Sequence, residues 1–146
     1  MKKQSLLRLV MLPLMGAAMC LAVPTTASAD EDDTPLAKAM KESSTALKKL
    51  RKMDKDDWKG GAAAARAAAE GCRKGMAYIP AMVKEMPDGD EKTKAIADYR
   101  RLMGLSYAAL CELELAYLEK SAEKVAAAMT KIKAGKKEGH KKYEDE

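Results

Sequence analysis

Between residue 36 and the last dozen residues, apolar side chains recur every three or four positions. Leu36, Met40, Ser43, Leu47 and Leu50 step by 4, 3, 4 and 3. That is the narrow seam with which one helix of an antiparallel bundle meets its neighbours. The same step carries Ala62, Ala65, Ala69, Cys72, Met76, Ile79, Val83 and Met86. It returns in Ile96, Tyr99, Met103, Ser106, Leu110, Leu113 and Tyr117, and again in Val125, Met129 and Ile132. No segment alternates with the two-residue period that a half-buried strand needs. Ala, Leu, Met, Glu and Lys dominate, with no Phe and one Trp, and these are good helix formers. The fold class is all-α.

Local signals divide this pattern into four helices. Thr34 is a suitable N-cap with Pro35 at the first helical position. Residues 53–57 form a turn rich in Asp, and a second helix runs from about Trp58 to Met86. Gly60 and Gly61 loosen its first turn. Pro80 must kink or interrupt it, because proline lacks an N–H and clashes with the preceding turn. Gly71 and Gly75, four apart, suit close helix packing. Residues 87–90 are a turn, a third helix covers about Glu91 to Glu119, and Ser121 caps a fourth. In that last helix the steps from Ile132 to Lys136 to His140 keep His140 on the core face. Four helices with short connections give an antiparallel up-down-up-down four-helix bundle. An even number of such helices brings both chain ends to one end of the bundle.

The first 29 residues read as a cleaved secretory signal peptide. Lys2, Lys3 and Arg8 precede an apolar stretch from Leu9 to Val23, and Ala27-Ser28-Ala29 offers a small-residue cleavage site before Asp30. Met19 occupies the place before Cys20 where a lipid-attachment motif wants a small residue. The apolar stretch is too short to span a bilayer comfortably. Residues 30–146 are then one exported, periplasmic domain with no membrane span, expected to be a monomer. Its 24 basic residues nearly balance its 22 acidic ones, because three of the 27 basic residues belong to the leader. The chain's pI near 9.0 therefore is not a nucleic-acid signature.

Chemistry is sparse in such a frame. His140 is the only histidine, and so the one side chain suited to bind a borderline metal or move a proton near neutral pH. In the bundle its height matches that of Met40, about five residues into the first helix. A thioether and an imidazole that converge are a haem-iron ligand pair. Methionine at helical spacing is also ordinary core filler, and Met82, Met86 and Met103 lie toward the same end. Spacing alone thus leaves the second ligand open. No Cys-x-x-Cys-His occurs, so a covalent c-type haem is excluded by sequence. Cys72 and Cys111 are expected to stay free thiols, since a turn centred near Asp88 puts them about 10 Å apart in height.

Several segments together resemble the cytochrome b562 family of periplasmic four-helix haem proteins. They are Ala39-Met40 with Leu47 and Leu50, Arg66-Ala67-Ala68-Ala69, Asp98-Tyr99-Arg100, and the closing His140-Lys141-Lys142-Tyr143. The resemblance spans Leu36 to Tyr143. It implies one non-covalent haem b with Met40 and His140 as axial ligands, Tyr99 packed near the haem, and Lys136 near its edge. Three features depart from the family pattern. Tyr99 stands where Phe is expected, Pro80 and Pro87 lengthen the second connection, and Gly139 replaces an aromatic residue.

With both axial positions filled, the implied activity is one-electron transfer to an unidentified redox partner. A methionine–histidine pair favours the reduced iron. No catalytic constellation argues for an enzyme. Two other readings share the scaffold: a haem-free helical binding or stress protein of the envelope, and a five-coordinate haem protein that binds small gases.

Overall fold

The computed structural model describes residues 34–143, and the expected signal peptide, its cleavage site and the acidic residues 30–33 lie outside that range. The described residues are all-helical: α1 (Pro35–Leu50), α2 (Trp58–Gly75), α3 (Ala81–Glu85), α4 (Asp90–Leu118) and α5 (Ala122–Tyr143).

Caps set most of these boundaries. The Thr34 hydroxyl accepts the Ala37 N–H at 3.0 Å, and Asp57 accepts the Gly60 N–H at 2.8 Å. Ser121 does the same for Lys124 at 3.3 Å, so Thr34 and Ser121 act as the expected caps, and Asp57 is the residue of the Asp-rich turn that caps α2. Between α4 and α5 the chain reverses through Lys120, whose φ of 54° is left-handed. There the Ser121 N–H reaches the Ala116 carbonyl, and the Lys120 N–H reaches that of Tyr117. This is a Schellman closure with lysine where glycine is usual.

Pro80 does more than kink the second helix. α2 stops at Gly75, residues 76–80 cross as a connection, and Pro80 starts the separate one-turn α3. A proline at this point cannot donate the hydrogen bond that a continuing helix requires. The expected seam beyond Cys72 is therefore broken. Met76 is exposed, while Val83 is fully buried from α3.

Small residues let α2 lie close to its neighbours. A Cβ on Gly71 would come within 2.6 Å of the Ser43 backbone N and 3.0 Å of the Ala39 carbonyl. A Cβ on Gly61 would run into the Tyr117 ring of α4. Along α1 and α2, Gly75 lies by Leu36 and Met40, Gly71 by Ala39 and Ser43, and Ala64 and Ala65 share a cluster with Leu50. Residue numbers thus fall on one helix as they rise on the other. The same holds for α2 and α4, where Gly61 meets Tyr117, Arg66 pairs with Glu114, and Cys72 meets Met103. It also holds for α4 and α5, where Asp98 pairs with Lys142, Arg101 with Glu138, and Glu112 with Lys131.

Two contiguous apolar clusters fill the interior. One is built on Ala68, Ala69, Cys72, Tyr99, Met103 and Leu110, and the other on Leu50, Ala64, Ala65, Leu113 and Ala128. Leu47 of α1 and Ile132 of α5 pack against both. No helix among the described residues is long and apolar enough to cross a membrane.

Candidate functional site

Four helix ends supply the residues of interest: the start of α1, the end of α2, the first half of α4 and the end of α5. Gly75 links the first three. The space its missing side chain leaves is met by the Met40 sulfur at 3.1 Å, the Met103 methyl at 3.1 Å and a Leu36 methyl at 3.5 Å. The structure therefore brings Met40 and Met103 together over a glycine. Met103 is buried there, whereas Met40 remains 37% exposed.

Tyr99, one turn before Met103, is buried and meets Tyr143 edge to face, with ring centroids 5.4 Å apart at 83°. Such T-shaped pairs set the positive ring edge on the negative face. Burial, with Cys72 close by, pushes the Tyr99 phenol up to about 12. The Tyr143 hydroxyl donates toward an Asp98 carboxylate oxygen at 2.9 Å and the Ala95 carbonyl at 3.2 Å.

Asp98 gathers charge around this contact. Lys142 reaches its Oδ2 at 3.0 Å, and Arg101 approaches its Oδ1 through Nε at 3.0 Å and Nη2 at 2.8 Å. Hydrogen bonds from Lys142, Arg101 and Tyr143, in that order, hold its carboxyl well below the usual carboxylate range. Glu138 closes the ring, 3.3 Å from both Arg101 and Lys142. Two residues of α4 and two of α5 thus form one network beside the tyrosine pair.

His140 departs from the sequence expectation. Its side chain is exposed, as is that of Lys136. Each four-residue step advances about 40° beyond a full turn, so two steps from Ile132 carry His140 about 80° off the core direction. It sits at the edge of the buried face. Partial burial and then the nearby Lys136 charge push its pKa below the ordinary value. The imidazole is accordingly neutral at neutral pH, the form that binds a metal.

Cys72 is buried and its thiol pKa is pushed up to about 11 by burial, with a smaller contribution from Cys111. Both cysteines are free, as expected. The register differs from that expected, however. The pairs 61/117, 66/114 and 75/103 place Cys72 level with residues near 107, roughly four residues from Cys111 instead of seven. The extra residues taken up by the α2–α3–α4 connection shift the pairing.

Sequence reasoning missed the roles of Asp98 and Tyr143. Both lie in segments that carry the family resemblance, but no spacing rule joins positions 45 apart. Among the described residues no group of three or more His, Cys, Asp or Glu could hold a metal ion. A porphyrin-held iron needs only two axial protein ligands, and the available donors are one imidazole and a set of thioethers. Two shallow depressions lie elsewhere, one along α1 over Lys38, Lys41, Thr45 and Lys49, the other between α4 and α5 near Leu115 and Ala127. No family model matches the chain, and neither a curated protein nor a solved structure does.

Proposed function

We propose that the exported domain is a periplasmic one-electron carrier. It is an up-down-up-down four-helix bundle of α1, α2, α4 and α5 that takes one non-covalent b-type haem, with Met40 and His140 as axial ligands. The observation that carries this reading is the position of those two side chains on their helices. α1 turns Ala39 and Ser43 onto α2, with Glu42 paired to Lys74 at one margin. Met40 lies at the opposite margin, about 60–100° round from Ala39 and Ser43. α5 is tied to α4 through Lys131 and Lys142 at one margin. His140 lies across the core face from these, about 160–180° away. His140 thus lies away from α4, toward the side where α1 and α5 would meet, while Met40, whose sulfur touches Gly75 of α2, lies on the margin of α1 away from the Glu42–Lys74 pair.

Height supports the same reading. The contact pairs run from Met40 through Gly75 and Met103 to residues near 136 on α5. His140 is then about one helical turn nearer the end than Met40, on the order of 5–8 Å. Side chains tilt toward their own helix N-terminus, so in antiparallel α1 and α5 the two donors lean toward each other and narrow that offset. Tyr99 and Met103 would supply apolar walls, and Lys136, one turn before His140, would meet a carboxylate at the cofactor's edge. The haem supplies a one-electron Fe(III)/Fe(II) couple. The protein supplies a neutral imidazole, a thioether, and helices that hold both donors still. The leader peptide carries the assignment to the periplasm.

A second reading rests on Met40 itself. Its sulfur already packs over Gly75 beside Met103, as core filler would, which suits a haem-free helical protein of the envelope. Titrating the purified, haem-free domain with hemin separates the two. Sharp low-spin bands at one equivalent support the electron carrier, and a spectrum of free hemin supports the alternative.

A further inference from the structure

We infer that Asp98 and Tyr143 are positioning residues for His140. They form a latch that fixes the last turn of α5 against α4, so that the imidazole is oriented before any ligand arrives. The inference rests on the haem-carrier reading, and it concerns residues that need not touch the cofactor.

The terminal turn of a helix frays by default, since its last carbonyls lack partners and few contacts hold it. His140 lies in that turn, three residues before the end of α5. Loose there, it would need ordering each time it bound, and the entropy cost would weaken the bond. The structure ties the turn on both sides of the histidine. After it, Tyr143 sets its ring edge against Tyr99 and its hydroxyl between Asp98 and the Ala95 carbonyl. Lys142 reaches Asp98 from the same turn. Before it, Glu138 meets Arg101, which also holds Asp98.

The contributions are unequal. Exposed ion pairs such as Arg101–Glu138 hold little by themselves. Tyr143 is half-buried, and its hydroxyl donates to a carboxylate, which makes a stronger bond than one between neutral groups. Asp98 stays ionised through the whole neutral and mildly acidic range. Around it lie Lys142, Tyr143 and Glu138 from α5 and Arg101 from α4. The latch is thus closed at any pH where the imidazole is neutral. The neighbouring Tyr99 and Met103 are anchored in the core. Motion of the last turn relative to that core is what the latch removes.

The test uses Tyr143→Phe, which keeps the ring and deletes the hydroxyl, and Asp98→Asn, which keeps an acceptor oxygen but not its charge. In the haem-free full domain, amide hydrogen exchange at residues 139–142 should quicken about tenfold in either variant while exchange in α2 is unchanged. With hemin, affinity should fall about tenfold, and the EPR anisotropy of the low-spin centre, which reports imidazole orientation, should broaden. Unchanged exchange overturns the latch. Faster exchange with unchanged affinity and EPR spectrum makes it structural only and overturns the positioning role. A wild-type domain that takes no hemin overturns the carrier reading and the positioning role with it, even if exchange in the variants shows the latch itself. Wild-type binding with indifferent variants overturns this inference alone.

Discussion

The Tyr143 hydroxyl lies 2.9 Å from an Asp98 carboxylate oxygen, joining the last turn of α5 to the first half of α4 across 45 positions of sequence. Around that bond sit Tyr99, Lys142, Arg101 and Glu138, and one turn away sits the only histidine. The candidate site is therefore organised by a contact at the chain's far end, and not by a pocket.

Axial ligation is tested by removing each donor. His140→Ala is expected to abolish haem binding or leave a weak high-spin species. Met40→Ala is expected to keep haem while opening one coordination position, visible as a high-spin band. If Met103→Ala lost the low-spin spectrum and Met40→Ala retained it, the sulfur ligand would be Met103, whose methyl shares the Gly75 contact.

His140 should titrate below the ordinary histidine value near 6.5, because burial and Lys136 both disfavour its cation. The unfolded chain then takes up this proton first. Stability is lost as pH falls through about 6.5 toward the folded value, and levels off below it. Lys136→Gln should move the histidine titration upward when followed by NMR in the haem-free protein. A titration that stays put would leave burial as the only cause.

Cys72, raised to about 11, should resist thiol reagents at pH 8 while Cys111 reacts. Two thiols should appear on unfolding the unreduced protein, and none would mean a disulfide. The sign on the alkaline side follows from the raised value. The unfolded thiol ionises first, near 9, so stability falls from there up to about pH 11 and no further.

Two glycines should respond oppositely to alanine. At Gly71 the new Cβ meets α1 backbone at 2.6–3.0 Å, which cannot move aside without parting the helices. Overpacking of this kind costs about 1–3 kcal/mol and should outweigh the helix-propensity gain of about 1 kcal/mol. Gly104 has nothing within 4 Å, so Gly104→Ala should show that gain intact in chemical denaturation.

Lys120→Gly should stabilise the α4–α5 reversal. A lysine held at φ 54° carries a left-handed penalty on the order of 1 kcal/mol that glycine lacks. Part of the gain is lost to glycine's greater freedom in the unfolded chain. A lower Tm for the variant would show that the lysine side chain contributes more to the turn than the strain removes.

Helix identity was legible in the chain itself, because a 3–4 apolar step with Thr34, Asp57 and Ser121 as caps is local information. Such signals act within a turn of their own residue, and they located α1, α4 and α5 to within a residue or two. Pro80 announced a break for the same reason, but not its form. Whether a helix resumes after a proline depends on what the next residues can bury, and Val83 finds that place only in the folded core. The side-chain directions of Met40 and His140 were likewise decided by packing. A repeat of 3.5 drifts against a helix of 3.6 residues per turn, and only the contact with a neighbour says which residue the drift leaves exposed. Tyr143 and Asp98 show the limit most plainly. Each is an ordinary surface residue in sequence, and their bond exists because two helices running in opposite directions bring position 143 beside position 98.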